Sequence, residues 1–184
     1  MRLVPPSPAL ETGGVRLRTF DAADAPAIAE ACADPDIGRF TFMKQGQTEA
    51  DARAWIAERT TLWDQGVARF AIEDAQLHTF LGQVGLETRD EYRSGELFYW
   101  VVAPGRGNAV APNAVALVCD WAFGIGVERI ALLTHVDNHA SQRVAVKCGF
   151  TREGVLRAYV PFKGSRPDLV SWSLLPSDRR PWHA

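Results

Sequence analysis

An α+β fold, with one central mixed sheet of about seven strands flanked by helices, is predicted by three observations. Apolar residues alternate with polar ones in some stretches and recur every three to four residues in others, so strands and amphipathic helices are both present. Their order is strand, two helices, three strands, helix, strand, helix, two strands, which leaves parallel crossovers only around the two later helices. A length of 184 residues and an apolar content of 47% suit one core of that size. The whole chain, residues 1–184, is therefore read as a single domain. Residues 1–13, with Pro5, Pro6, Pro8 and Gly13, form a loose lead-in.

The elements follow in order. Residues 15–20 alternate Val, Arg, Leu, Arg, Thr, Phe, the pattern of a half-buried strand. Residues 21–24 offer caps, and Pro26 suits the first turn of a helix that Asp34 and Pro35 end. Residues 37–47 hold Phe40, Phe42 and Met43 with little periodicity: either a loop or short helix over a cleft, or a plug in the core. Thr48 caps the next helix, with Asp51 in its first turn, and Trp55, Ile56, Arg59, Leu62 and Trp63 mark its stripe. Those tryptophans either wall a cleft or fill space between layers. Strands follow at 67–73, 80–87 and 96–102. A helix then carries Val110, Ala114, Leu117 and Trp121 three or four apart until Gly124 and Gly126 stop it. Residues 129–136 read as a buried strand, 138–148 as a helix sharing Ala140, Val144 and Cys148 on one face, and 150–159 and 168–175 as late strands. Trp172 packs the sheet.

Composition excludes several classes. A net charge of −2 provides no global attraction to nucleic acid or anionic lipid, so neither is an expected partner. Cys32, Cys119 and Cys148 cannot all pair and lack metal-ligand spacing; buried free thiols in a reducing compartment fit them. His135 and His139 straddle a strand end and a helix start, so no metal is expected. The proline-rich start is no signal peptide, and no apolar run approaches a membrane span; a cytoplasmic protein is expected.

The stretch 96–123 organises the rest: a strand with Phe98, Tyr99 and Trp100 in a row, a break at Pro104, Gly105, Arg106 and Gly107, then the long helix. Unpaired N–H groups at the helix start and the charge of Arg106 make a phosphate or pyrophosphate cradle. The same residues also suit an ordinary strand–helix junction with a surface arginine. The P-loop Lys-Ser/Thr and the spaced glycines of a dinucleotide fingerprint are missing.

Residues 106–111, Arg-Gly-Asn-Ala-Val-Ala, follow an Arg/Gln-x-x-Gly-x-Gly/Ala loop. Asn138 and Ser141 supply Asn-x-x-Ser, and Lys147, Gly149, Phe150, Glu153 and Gly154 supply Lys-x-Gly-Phe-x-x-Glu-Gly. With residues 15–18 and 168–175, these motifs resemble the GCN5-related N-acetyltransferases (GNATs), in their RimJ/RimL-like ribosomal-protein alanine acetyltransferase branch, over residues 14–178. Ala109 replaces the central loop glycine, Pro112 and Asn113 replace the usual pair behind it, and Ala145 stands where many relatives carry a tyrosine. A methyl at residue 109 is tolerated if its φ is negative.

The resemblance implies a mostly antiparallel GNAT-fold sheet, splayed between the fourth and fifth strands, with acetyl-CoA as co-substrate. It places the pantetheine arm on main chain near Trp100, Val101 and Val102, and the diphosphate on Arg106, Gly107, Asn108, Ala109, Val110 and Ala111. Asn138 and Ser141 orient the arm or the helix start, while Arg143 and Lys147 reach a nucleotide phosphate from the helix's solvent face. Transfer to a primary amine, on a protein N-terminus or a small molecule, then proceeds directly in a monomer or homodimer. Ser141 is the candidate acid toward the CoA sulfur, with helix capping as its other reading. Glu96, on one face with Phe98 and Trp100, is the candidate base, with Glu87 in reserve; it also suits a plain strand-edge glutamate. The alternative function is a catalytically weakened CoA-binding or regulatory module, motivated by Ala109, Pro112 and Ala145.

Overall fold

Alternation becomes strand and the 3.6-residue period becomes helix in a computed structural model that describes residues 2–183. The elements are β1 (Leu10–Thr12), β2 (Val15–Arg18), α1 (Ala25–Ala31), α2 (Pro35–Phe40), α3 (Glu49–Thr60), β3 (Val67–Asp74), β4 (Phe80–Arg89), β5 (Ser94–Val101), α4 (Val110–Gly124), β6 (Arg129–His135), α5 (His139–Lys147), β7 (Thr151–Leu156) and β8 (Leu169–Leu174). They form one sheet in the order β1-β2-β3-β4-β5-β6-β8-β7, in which only β5 and β6 run parallel.

The sheet has eight strands rather than about seven. The added one is β1, inside the stretch expected as a loose lead-in. Its three residues carry no alternation of their own; β2 supplies the template through the pairs Leu10↔Leu17 and Thr12↔Val15. Leu3 is also buried and donates its main-chain N–H to the Trp63 carbonyl.

Two cores cover the two faces of the sheet. On one, Leu97 and Val101 of β5 and Ile130 and Leu132 of β6 pack against Ala114, Val115 and Val118 of α4 and Ala145 of α5. On the other, Ala71 and Trp100 meet Ile28, Ile37 and Ile56 from α1, α2 and α3. The helices start where short polar side chains take up free N–H groups. Asp34 accepts from Asp36 and Ile37, and Thr48 and Asp51 form a reciprocal capping box, each such cap contributing about 1 kcal/mol. The 37–47 segment divides: α2 takes residues 37–40, Met43 is a core plug, and Phe42 is 70% exposed. In α5 the buried residue is Ala145, and Ala140 is exposed rather than on the inner face.

The feature that positions the site is a defect in the sheet. β5 and β6 pair from Ser94↔Arg129 to Leu97↔Leu132 and then part, although β5 continues to Val101 and β6 to His135. Each strand stays zipped on its other edge, β5 to β4 and β6 to β8. The splay expected between the fourth and fifth strands is therefore present, as the fifth and sixth once β1 is counted.

Candidate active site

Main-chain groups of successive strand residues point to opposite edges. The Val102 N–H bonds to the Leu81 carbonyl of β4, so Trp100 faces the same way and Tyr99 and Val101 face the opened edge. Of Trp100, Val101 and Val102, the three residues read as lining the arm, only Val101 turns its main chain toward the gap. Its carbonyl accepts from Arg106 Nε at 3.1 Å, while the groups of Tyr99 lie next along the same edge.

β5 leads through a single 3-10 turn into the loop before α4. Gly107 has φ +81° and open space where a Cβ would stand, so main chain can approach a ligand there without obstruction. The N–H groups of Gly107, Asn108, Ala109, Val110 and Ala111 lie in this turn and the first turn of α4, ahead of the helix's own ladder, which opens with the Asn113 N–H on the Ala109 carbonyl. With the positive end of the α4 dipole behind them they form an anion cradle, and a diphosphate fits that donor set. Pro112, in the first helical turn, removes one more donor from this array.

Two features of the cradle are visible only in the fold. Ala109 adopts φ +59°, not a negative φ, and caps α4 without a side-chain hydrogen bond. The loop needs the left-handed conformation that a glycine supplies without strain, and a methyl there costs roughly 1–2 kcal/mol. Ala109→Gly is therefore expected to stabilise the protein by about 1 kcal/mol, raising Tm by ~2–4 °C in a thermal melt, and to lower the KM for acetyl-CoA. An unchanged or lower Tm would contradict the assigned strain. Arg106, in turn, does not hold its charge free at the cradle. Its guanidinium lies 2.6 Å from Asp34 and 3.2 Å from Asp36 at the start of α2, so the cradle rests on main chain.

Across the gap, α5 begins at Asn138, whose Oδ1 accepts the Ser141 N–H at 3.0 Å. The cap thus uses the main chain of Ser141 and leaves its hydroxyl available. That hydroxyl is 2.7 Å from the Tyr99 phenol, a contact from β5 to α5 across the opened edge. Burial raises the Tyr99 pKa despite the opposing hydrogen bond from Ser141, so the phenol keeps its proton. The sequence offers one local signal for Tyr99, its place in the aromatic run at 98–100; its contact with Ser141 comes from the fold. Ala145 is wholly buried.

On the other face of β5, Glu96 pairs with Ala131 of β6 in the last zipped turns and with Glu87 of β4. Burial first, and then the Glu87 charge, raise its pKa above the ordinary carboxylate value. Glu87 itself is exposed. His135, at the free end of β6, lies between Phe40 and Phe162 with centroids 5.5 and 4.9 Å away, and burial lowers its pKa. Arg143 and Lys147 are exposed on α5. All three cysteines are buried, and burial raises the Cys148 thiol to about 12, which disfavours a thiolate nucleophile. No group of residues suited to hold a metal ion occurs among the described residues, and none of their helices is long and apolar enough to cross a membrane.

The acetyltransferase (GNAT) domain model matches residues 15–151. The chain is 27% identical over 172 residues to the uncharacterised N-acetyltransferase YoaA of Bacillus subtilis, covering 91% of this chain and 97% of that protein. Among solved structures it resembles Mycobacterium smegmatis RimJ in complex with CoA-disulfide, with a TM-score of 0.82 and 23% identity over 95% of this chain and 90% of the other. It also resembles the ribosomal-protein-S5-alanine acetyltransferase of Vibrio fischeri, with a TM-score of 0.79 and 21% identity over 94% and 99%.

Proposed function

The chain belongs to the acetyltransferase (GNAT) family, and from that premise we propose a route by which it moves acetyl from acetyl-CoA directly to a primary amine. Acetyl-CoA supplies an activated acyl group as its thioester. The chain's own residues then have four tasks: to hold the diphosphate, orient the arm, take a proton from the amine and give one to the departing sulfur. Residues 107–111 do the first through main-chain N–H groups, and the gap beside Tyr99 and Val101 does the second. Arg143 and Lys147 lie at the solvent side, where a nucleotide phosphate would meet them.

Glu96 takes the proton of the acceptor ammonium, directly or through one water. Ser141 Oγ donates toward the sulfur, and the Tyr99 phenol holds that hydroxyl in position and replaces its proton, with solvent reprotonating the phenol once CoA has left. The observation that carries this reading is the 2.7 Å Tyr99–Ser141 contact across a sheet edge that the strands themselves leave open. Of the three departures that motivated a weakened module, Pro112 sits in a first turn and Tyr99 supplies the phenol that Ala145 cannot, while Ala109 keeps the loop's left-handed conformation at the cost of local strain.

The acceptor is proposed to be the N-terminus of a protein, as in the RimJ/RimL-like branch. The likeness to RimJ and to the S5-alanine enzyme supports it. An α-amino group with a pKa near 8 is also more readily deprotonated than a lysine near 10.4. Three unpaired cysteines fit work in the cytoplasm. The test is a screen of N-terminal peptides and small amines with acetyl-CoA, reading released thiol. Amine-dependent release is expected; CoA binding with no release across the panel would return the module reading.

A further inference from the structure

The described buried polar side-chain atoms without a hydrogen-bond partner are Arg59 Nε, Arg69 Nε, Gln83 Oε1 and Trp100 Nε1. All four belong to the side of the sheet covered by α1–α3. Arg69 on β3 stands opposite Gly85 on β4, which stands opposite Phe98 on β5, one row from the Gln83↔Trp100 pair. The guanidinium of Arg69 lies 4.6 Å from the centroid of Phe98. Only a glycine at residue 85 allows that ring its place, since a Cβ there would come within 2.4 Å of it.

Arg69 makes no hydrogen bond or ion pair with another described residue. Glu87 and Glu58 act on it only through space, while burial and the neighbouring charge of Arg59 lower its pKa to about 10. Arg59 lies 4.9 Å from the ring of Trp55 and pairs with Glu58 at its outer side. Both arginines open on one crevice of about 260 Å³, together with Thr19, Phe20, Trp63 and the Arg2–Asp64 pair, whose two charges offset each other.

Two neighbouring guanidinium groups, each with a buried Nε that finds no acceptor, are costly for a fold to keep. An anion between them removes the cost, and the planar fork of arginine matches a carboxylate. From the open edge of β5 to β3 is two strand spacings, about 10 Å. An extended peptide covers that in roughly three residues at about 3.3–3.6 Å each.

We propose that Arg59 and Arg69 form a carboxylate subsite for the acceptor, selecting amines that carry an acidic group about three residues from the reacting nitrogen. This rests on the transfer reading above, with the amine at the β5–β6 gap, and adds the class of acceptor.

Binding tests it apart from turnover. Ala-Ala-Glu-Ala and Ala-Ala-Gln-Ala, both C-terminally amidated, are titrated against the full chain by calorimetry, and thiol release is followed in parallel. The wild type is expected to bind the glutamate peptide at least about tenfold more tightly, the equivalent of one charge-assisted hydrogen bond. Arg69→Gln is expected to abolish the preference and, by removing an unpaired charge, to melt no lower than the wild type. Arg59→Gln is the second variant and should reduce the preference from the opposite wall. Equal binding of the two peptides, a preference that survives both substitutions, or a lower Tm for Arg69→Gln would overturn the subsite. A glutamate preference in binding with no acetylation of any amine would keep the subsite and refute the transfer reading.

Discussion

Tyr99→Phe is expected to lower kcat about 10²-fold, the usual scale of a positioned proton donor, with the KM for acetyl-CoA changed by no more than a few-fold. The substitution removes one oxygen from a phenol that packs against the α4-side core and touches the Ser141 hydroxyl at 2.7 Å, so packing is kept. Ser141→Ala should produce a loss of similar size. Its helix cap survives, because Asn138 accepts from the main-chain N–H of residue 141 and not from the hydroxyl. Asn138→Ala is the contrasting case, costing about 1 kcal/mol of stability through the lost cap. If Tyr99 and Ser141 act as one unit, the double variant is no slower than the slower single one. Losses that multiply, or that appear only in KM, would separate the two residues and remove the relay.

Glu96→Gln should reduce kcat/KM at pH 7 by a comparable factor and change the shape of the pH profile. A base works only when ionised. The wild-type rate is therefore expected to rise with pH through the elevated Glu96 pKa, and the variant to keep only the limb set by the amine. Stability moves the opposite way. Glu96 has its folded pKa raised by burial and by Glu87, so the folded state carries no penalty below the unfolded pKa and loses stability as pH rises through the folded one. Gln at this position removes the cross-strand like-charge pair, worth roughly 0.2–1 kcal/mol. The variant should thus melt higher than the wild type at pH 7 and equally at pH 3. A slower enzyme that is also less stable at pH 7 would mark Glu96 as structural rather than as the base.

The order of the elements was legible because strand and helix announce themselves within a few residues. Val15 and Leu17 alternate, Val110 and Ala114 share a stripe, and Thr48 and Asp51 mark a helix start by spacing alone. The cradle was legible for the same reason: a glycine turn ahead of an apolar helix is a local arrangement. β1 was not, because its three residues become a strand only when β2 offers an edge. Nor was the sign of φ at Ala109, where the loop's closure overrides the residue's own preference. Nor was the pairing of Arg106 with two carboxylates some seventy residues earlier, a contact that only the fold brings about.

From the amino-acid order alone came the fold class, the strand–turn–helix cradle, the cap at Asn138 and the buried state of the three thiols. Each depends on residues close together along the chain. The tertiary structure decided where β5 and β6 part, that Tyr99 rather than residue 145 meets Ser141, and that Arg59 and Arg69 face one crevice. Those facts depend on register between strands and on which helix covers which face, and such relations join distant segments whose spacing along the chain carries no record of their meeting.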